Sequence, residues 1–112
     1  MTTIERVDQL HKEAMELAGA AMILHLQGKF EQASCTNRHA FLKEREAAVL
    51  CDSFIEPTRS VLYRSAATLA FKFGAFQESE RLITVALSGN VPEEIADELR
   101  DLLEQVKKAI AL

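Results

Sequence analysis

Between Tyr63 and Ala86 the chain has the sequence YRSAATLAFKFGAFQESERLITVA, and this stretch decides the fold. Apolar or small residues recur every three or four positions before Gly74, and the same period resumes after it. The two runs are Leu62, Ala66, Leu69 and Phe73, followed by Phe76, Ser79, Ile83 and Ala86. That spacing is typical of two amphipathic helices joined by a tight turn. The sequence therefore predicts a helix hairpin in this region.

A weaker copy of the hairpin lies earlier in the chain. The pattern around Gly74 recurs around Gly28, so the two glycines are 46 residues apart, from 28 to 74. The matching positions are Gly28, Phe30, Ala33 and Ala40 after the turn, and Leu17 and Ala21, which match Tyr63 and Ala67, before it. Repetition of one supersecondary unit is the mark of a repeat architecture. We therefore expect two hairpins built on one plan.

The helix-breaking residues and the helical periodicity together predict an all-α chain of five helices that forms a single domain over residues 1–112. No segment alternates apolar and polar residues with the period of two that a strand requires. The first helix begins near Thr2, which has capping-box spacing to Glu5. The predicted helices run from Thr2 or Thr3 to Leu26, from Phe30 to Ser53, from Pro57 to Phe73, from Gln77 to Leu87, and onward from Pro92.

The second predicted helix has an apolar face that includes Ala33, Ala40 and Ala47 and ends in Phe54. Its middle carries four consecutive charges, Lys43 to Glu46, which go once round the helix. At that turn no face is wholly apolar. A run of charges on a helix is normally a solvated face. We therefore expect this turn to project beyond the packed helices into water.

Composition narrows the class of function. The formal net charge is −4, and residues 92–112 carry six acids against three bases. Binding to nucleic acid by bulk charge requires a basic face, so no nucleic-acid partner is expected. No apolar stretch approaches the length of a membrane span or follows a basic start as in a signal peptide. We expect a soluble, cytoplasmic protein with no membrane partner.

The hairpin residues resemble the tetratricopeptide repeat. The resemblance rests on Tyr63, Ala67, Gly74, Phe76, Ser79 and Ala86, echoed by Leu17, Ala21, Gly28, Phe30, Ala33 and Ala40. Two departures are the spacing of 46 residues between the glycines, against about 34 in the family, and Asn37 at a position that is usually large and apolar. Residues 56–103 also resemble segments of small uncharacterised bacterial repeat proteins, a likeness that implies no activity.

The resemblance implies two tetratricopeptide-like hairpins in a right-handed superhelical arrangement, closed by the fifth helix as a cap. The capping stripe on that helix consists of Ile95, Leu99, Leu102, Val106 and Ile110. It also implies a concave groove lined by the first helix of each hairpin, and hence a module for binding a protein or peptide. The groove residues expected to bind the partner are Met15, Met22, His25, Leu26, Arg64, Thr68, Phe71 and Lys72. Arg64 and Lys72 loosely resemble the basic residues with which family members bind acidic tails.

Three alternatives compete with an open groove. Helix five or a second copy of the chain would bury Met22, Leu26 and Phe71, and in the latter case the protein would be a structural homodimer. Cys35 and His39 lie one helical turn apart, a spacing that can hold a metal or support a redox site. A closed zinc site requires four ligands, however, and no CxxC or HExxH motif is present. We therefore expect no metal, no cofactor and no enzymatic activity.

Overall fold

The computed structural model describes all 112 residues and contains five α-helices and no strand. The all-helical prediction is confirmed. The helices are α1 (Thr3–Leu26), α2 (Phe30–Leu50), α3 (Thr58–Lys72), α4 (Phe76–Leu87) and α5 (Glu93–Ala111). The predicted capping box at the start of α1 is also present, because Thr2 accepts a hydrogen bond from the Glu5 backbone at 3.1 Å.

The two hairpin turns have the same backbone geometry. Gly28 has φ 78° and Gly74 has φ 89°, a left-handed conformation that glycine adopts without a Cβ clash. The next residue closes each turn by the same bond: Lys29 N donates to Leu24 O at 2.9 Å, and Ala75 N donates to Ala70 O at 2.9 Å. The equivalence of positions 46 residues apart, expected from the sequence, therefore holds in the structure.

Helix α2 ends three residues before its predicted end at Ser53, because Cys51 is already extended, with ψ 132°. The Asp52 carboxylate accepts a hydrogen bond from Phe54 N at 3.2 Å, a local bond that competes with helix continuation. Glu56 then accepts bonds from Ser60 N and Ser60 Oγ at 2.9 and 2.8 Å and caps the start of α3. Phe54, expected on the apolar face of α2, is consequently 85% exposed.

The prediction that the charged turn of α2 projects into water is wrong. Each of its four charges faces an opposite charge or a histidine on another helix. The pairs are Lys43–Glu13 at 3.5 Å, His11–Glu44 at 2.8 Å, Arg45–Glu78 at 3.3 Å and Arg6–Glu46 at 3.8 Å. Helix α2 lies between α1 and the second hairpin at this turn, so Glu44 is buried while the other three charges pair across helix contacts and remain partly in water.

Glu44 is the buried member of this turn. Its side chain is 0% exposed, and its two oxygens lie 2.9 and 2.8 Å from Nδ1 of His11 on α1. When the carboxylate is ionised it can only accept, and Nδ1 of His11 is then the donor. Burial raises the pKa of the Glu44 carboxyl, while hydrogen bonding by Ser65 and His11 opposes that rise. The carboxylate thus links α2 to α1.

The helices stack in chain order, and α5 closes the second hairpin. Each helix packs against the next, and α5 also touches α3. Ile95, Leu99 and Val106 of the predicted capping stripe are buried and Leu102 is half-buried, whereas Ile110 is 39% exposed. The cap therefore acts through the first three turns and the Val106 turn of α5, and its last turn contributes little.

We expect Leu99→Ala to lower the free energy of unfolding by about 2–5 kcal/mol, because it deletes a fully buried side chain. Ile110→Ala, on the same helix, should change it by only about 0.5 kcal/mol because that side chain is partly in water. Urea unfolding of both variants measures the difference. Equal effects would show that α5 does not cap the hairpin as described.

We expect His11→Ala to cost about 1–3 kcal/mol at neutral pH, because it leaves the Glu44 carboxylate buried without its partner. A raised pKa means that the native state binds the Glu44 proton more readily than the unfolded state. Protonation therefore stabilises the native state at low pH, and this contribution is lost as pH rises through the native pKa. The cost of His11→Ala should accordingly shrink as pH is lowered, which urea unfolding at acidic and neutral pH measures.

Two further variants control that experiment. Adding Glu44→Gln to His11→Ala should recover stability at neutral pH, because a neutral amide replaces the carboxylate and no charge is then buried. His39→Ala should have no effect, since His39 is exposed on the same helix as Glu44. A His11→Ala variant as stable as the unmodified chain at both pH values would mean that the pair contributes nothing.

Candidate functional site

The C-terminal ends of α1 and α3 enclose a cavity of about 320 Å³, which we call the groove cavity. Its lining consists of Ala18, Ala21, Met22, His25, Leu26, Asn37 and Lys72. The structure therefore brings together Met22, His25, Leu26 and Lys72 from the expected partner-binding set. Asn37, on α2, was not predicted to take part, because the resemblance assigned the groove to the first helix of each hairpin alone.

The remaining residues of the expected set do not line this cavity. Met15 is exposed on α1 but lies further from the cavity, toward the start of the helix. Phe71 is half-buried and packs its ring against Phe76, with centroids 5.5 Å apart. The Thr68 hydroxyl donates to the backbone oxygen of Arg64 at 2.9 Å. Thr68 and Phe71 thus serve the second hairpin more than the groove.

Arg64 is already paired. Its Nη1 lies 2.8 Å from Oε2 of Glu98 on α5, so its charge is compensated within the chain. Lys72 has no carboxylate partner, although the chain forms ten ion pairs. Of the two cations expected in the groove, Lys72 alone is available to an incoming anion.

Helix α5 does not cover the apolar part of the groove. Met22 is 60% exposed and Leu26 is 79% exposed. At the same end of the hairpin, Phe30 is exposed and its ring meets His25 edge-on at 5.0 Å. The alternative in which helix five buries Met22 and Leu26 is therefore wrong. The apolar surface at this end faces solvent.

The outer side of α1 is exposed and mixes polar with apolar residues, whereas the matching side of α3 is apolar. On α3 this side faces α2, as the contact between Phe73 and Phe41 at 5.3 Å shows. The residues on it are Leu62, Ala66, Leu69 and Phe73, and their counterparts 46 positions earlier are Glu16, Ala20, Ile23 and Gln27, all exposed. At the other end of the stack, α5 exposes Asp97, Arg100 and Asp101. Polar side chains on an outer face are typical of terminal units of a helical array, and Ile23 on α1 is an apolar exception.

A second cavity, which sequence reasoning missed, lies at the opposite end of the first hairpin. It measures about 400 Å³, and we call it the end cavity. Its walls come from the start of α1, the end of α2 and the segment that links α2 to α3. The lining includes Ile4, Val7, Asp8, Leu50, Asp52 and Ile55. No local pattern signalled this cavity, because the sequence placed Phe54 on the apolar face of a longer α2, and its exposure follows only from the early end of that helix.

The two cysteines are free and lie apart from the groove. Cys35 and His39 are both exposed on α2, and no three His, Cys, Asp or Glu side chains stand close enough to hold a metal ion. Cys51 is half-buried beside the end cavity. Burial, with help from the charges of Glu56 and Asp52, raises the pKa of the Cys51 thiol. The thiolate, which is the reactive form, is therefore disfavoured there.

Comparison with protein-family models, with curated proteins and with solved structures finds no match to this chain. None of the five helices combines the length and the apolar character that crossing a membrane requires.

Proposed function

We propose that the protein is a non-enzymatic, tetratricopeptide-like interaction module whose groove cavity binds an acidic, apolar segment of another protein. The observation that carries the proposal is a concave surface that combines exposed apolar side chains with a free cation. Met22 and Leu26 line the groove cavity and are exposed, and Lys72 beside them has no carboxylate partner. Apolar side chains are exposed elsewhere too, but a concave surface gives a ligand the most contact.

Apolar anchors supply the affinity in this arrangement. A side chain that enters the groove cavity would cover Met22 and Leu26, both of which now contact water. Removing apolar surface from water yields roughly 25 cal/mol per Å². Methionine is well suited to such a surface because its flexible thioether adapts to ligands of different shape. The groove is therefore fitted to an apolar side chain without demanding one particular shape.

Charge favours an acidic ligand. No carboxylate lines the groove cavity, and its ionisable groups are His25 and Lys72. Because Arg64 is paired with Glu98, Lys72 is the single lysine or arginine free to meet an anion there. A charge at the rim of a binding surface mainly steers the approach of its partner and fixes its orientation.

The tetratricopeptide-like assignment draws support from the two matched hairpin turns and from the direction of the helices. Val7 and His11 of α1 line one small cavity with Val61 and Leu62 of α3, and Met22 lines the groove cavity with Lys72 at the other end. The first helices of the two hairpins therefore run parallel, as stacked repeats require. Two free thiols suit a reducing compartment, so we place the module in the cytoplasm.

The test is selection from a random peptide library on the immobilised full chain. We expect the selected peptides to combine acidic residues with a large apolar side chain. Lys72→Glu should weaken their binding about tenfold, equivalent to about 1.4 kcal/mol, and binding to the unmodified chain should weaken with added salt. Met22→Ser should also weaken binding, because it removes an exposed apolar contact without touching the core.

Lys107→Glu is the matched control for Lys72→Glu. It makes the same change of charge, but Lys107 lies with residues of α4 on another surface of the molecule. Peptides that bind Lys72→Glu and Met22→Ser as tightly as the unmodified chain would disprove the groove site. If the chain is a dimer that Met22→Ser dissociates, the occupant of the groove is a second copy, as in the structural homodimer.

A further inference from the structure

We infer that the end cavity is a second, separate docking site, which takes an apolar side chain from a basic segment of a partner protein. This inference does not depend on the groove. The end cavity lies at the other end of α1, and the α1 residues that line the two cavities are centred about 17 positions apart, so at about 1.5 Å per residue the two sites are roughly 25 Å apart.

The cavity has apolar walls and an apolar approach. Ile4, Val7, Leu50 and Ile55 line it, and its volume of about 400 Å³ falls within the range of ligand pockets. Ile4 is exposed, and Phe54, in the same turn as Ile55, is the most exposed aromatic residue of the chain. Apolar surface therefore continues outside the cavity. A small molecule would leave that surface in water, whereas a polypeptide segment covers it.

The charges at this end select a basic segment. Four carboxylates cluster here, and two of them are already engaged. Glu5 belongs to the capping box of α1, and Glu56 caps α3 and lies 3.7 Å from Arg59. Asp8 and Asp52 line the end cavity and have no cationic partner, although Asp52 accepts a backbone bond from Phe54. No lysine, arginine or histidine lines the cavity.

The same charges disfavour a second copy of the chain docked through this end. A two-fold contact would place Asp8 and Asp52 opposite their own equivalents, and like charges across an interface are unfavourable. A partner segment that carries lysine or arginine on either side of a leucine or phenylalanine avoids this repulsion, and it is also long enough to cover the apolar surface outside the cavity. Its cations reach the two aspartates while its apolar side chain enters the cavity.

Two synthetic peptides test the inference on the full chain: a leucine–lysine peptide with helical spacing, and the same peptide with glutamate in place of lysine. We expect fluorescence anisotropy to detect binding of the lysine peptide at the end cavity, whereas any binding of the glutamate peptide should occur at the groove and be lost in Lys72→Glu. The Asp8→Asn, Asp52→Asn double variant should weaken that binding about tenfold, while its asparagine at position 52 keeps the turn bond to Phe54. Phe54→Ser should weaken it as well, without loss of core packing.

Alkylation of the cysteines locates the bound peptide. Cys51 borders the end cavity and Cys35 lies exposed near the start of α2, at the far end of that helix, so Cys35 is an internal reference in the same molecule. The lysine peptide should slow alkylation of Cys51 and leave Cys35 unchanged. Asp97→Asn, Asp101→Asn on the outer face of α5 makes the same charge change elsewhere and should bind the peptide normally, as should Lys72→Glu.

Three results would overturn the inference. The α5 control could weaken lysine-peptide binding as much as the Asp8, Asp52 double variant does, which would indicate attraction by net charge alone. The double variant could bind the peptide as tightly as the unmodified chain, or the peptide could slow alkylation of both cysteines equally. Because Lys72→Glu tests the groove and leaves this end untouched, failure here would not count against the proposed groove, nor would failure of the groove count against this site.

Discussion

The contact of the buried Glu44 carboxylate with His11 on α1 is the interaction on which the rest of the array depends. A charge without water must keep its hydrogen-bonding partners, because an unpaired buried carboxylate is far more costly than a lost surface pair. Sliding α2 by one helical turn, about 5.4 Å, would separate the carboxylate from His11. This one side chain therefore fixes the register of α1 against α2, the two helices that contribute walls to both cavities.

This polar contact matters because the apolar contacts between the helices do not by themselves specify one register. Alanine makes up half of the buried apolar residues, including Ala14, Ala40 and Ala66. Alanine lets helix backbones approach closely, but its small side chain offers few interlocking shapes that would prevent sliding. The larger side chains that would interlock, such as Met22, Leu26 and Phe54, are on exposed surfaces. The chain thus combines a narrow core with apolar surfaces free to bind.

Local patterns in the sequence predicted most of the fold, and contacts between distant segments account for what they missed. The helix periods and the turns at Gly28 and Gly74 depend on neighbouring residues, so they were correct. The burial of Glu44 depends on which helix crosses that turn of α2, which no local pattern reveals. The same reason explains the groove. Met22, His25, Leu26 and Lys72 do meet, whereas the pairing of Arg64 with Glu98, 34 residues away, could not be foreseen.

The nearest-neighbour packing of the helices has a consequence for motion. Each helix is held mainly by those beside it in the chain, and α5 also touches α3, so local unfolding should begin at the two outermost helices. Backbone amides of α2 and α3, each packed on two sides, should exchange with deuterium most slowly. Loosening of α1 would open both cavities together, since α1 supplies a wall to each. Two sites at opposite ends of one helix would in that event share a single dynamic unit.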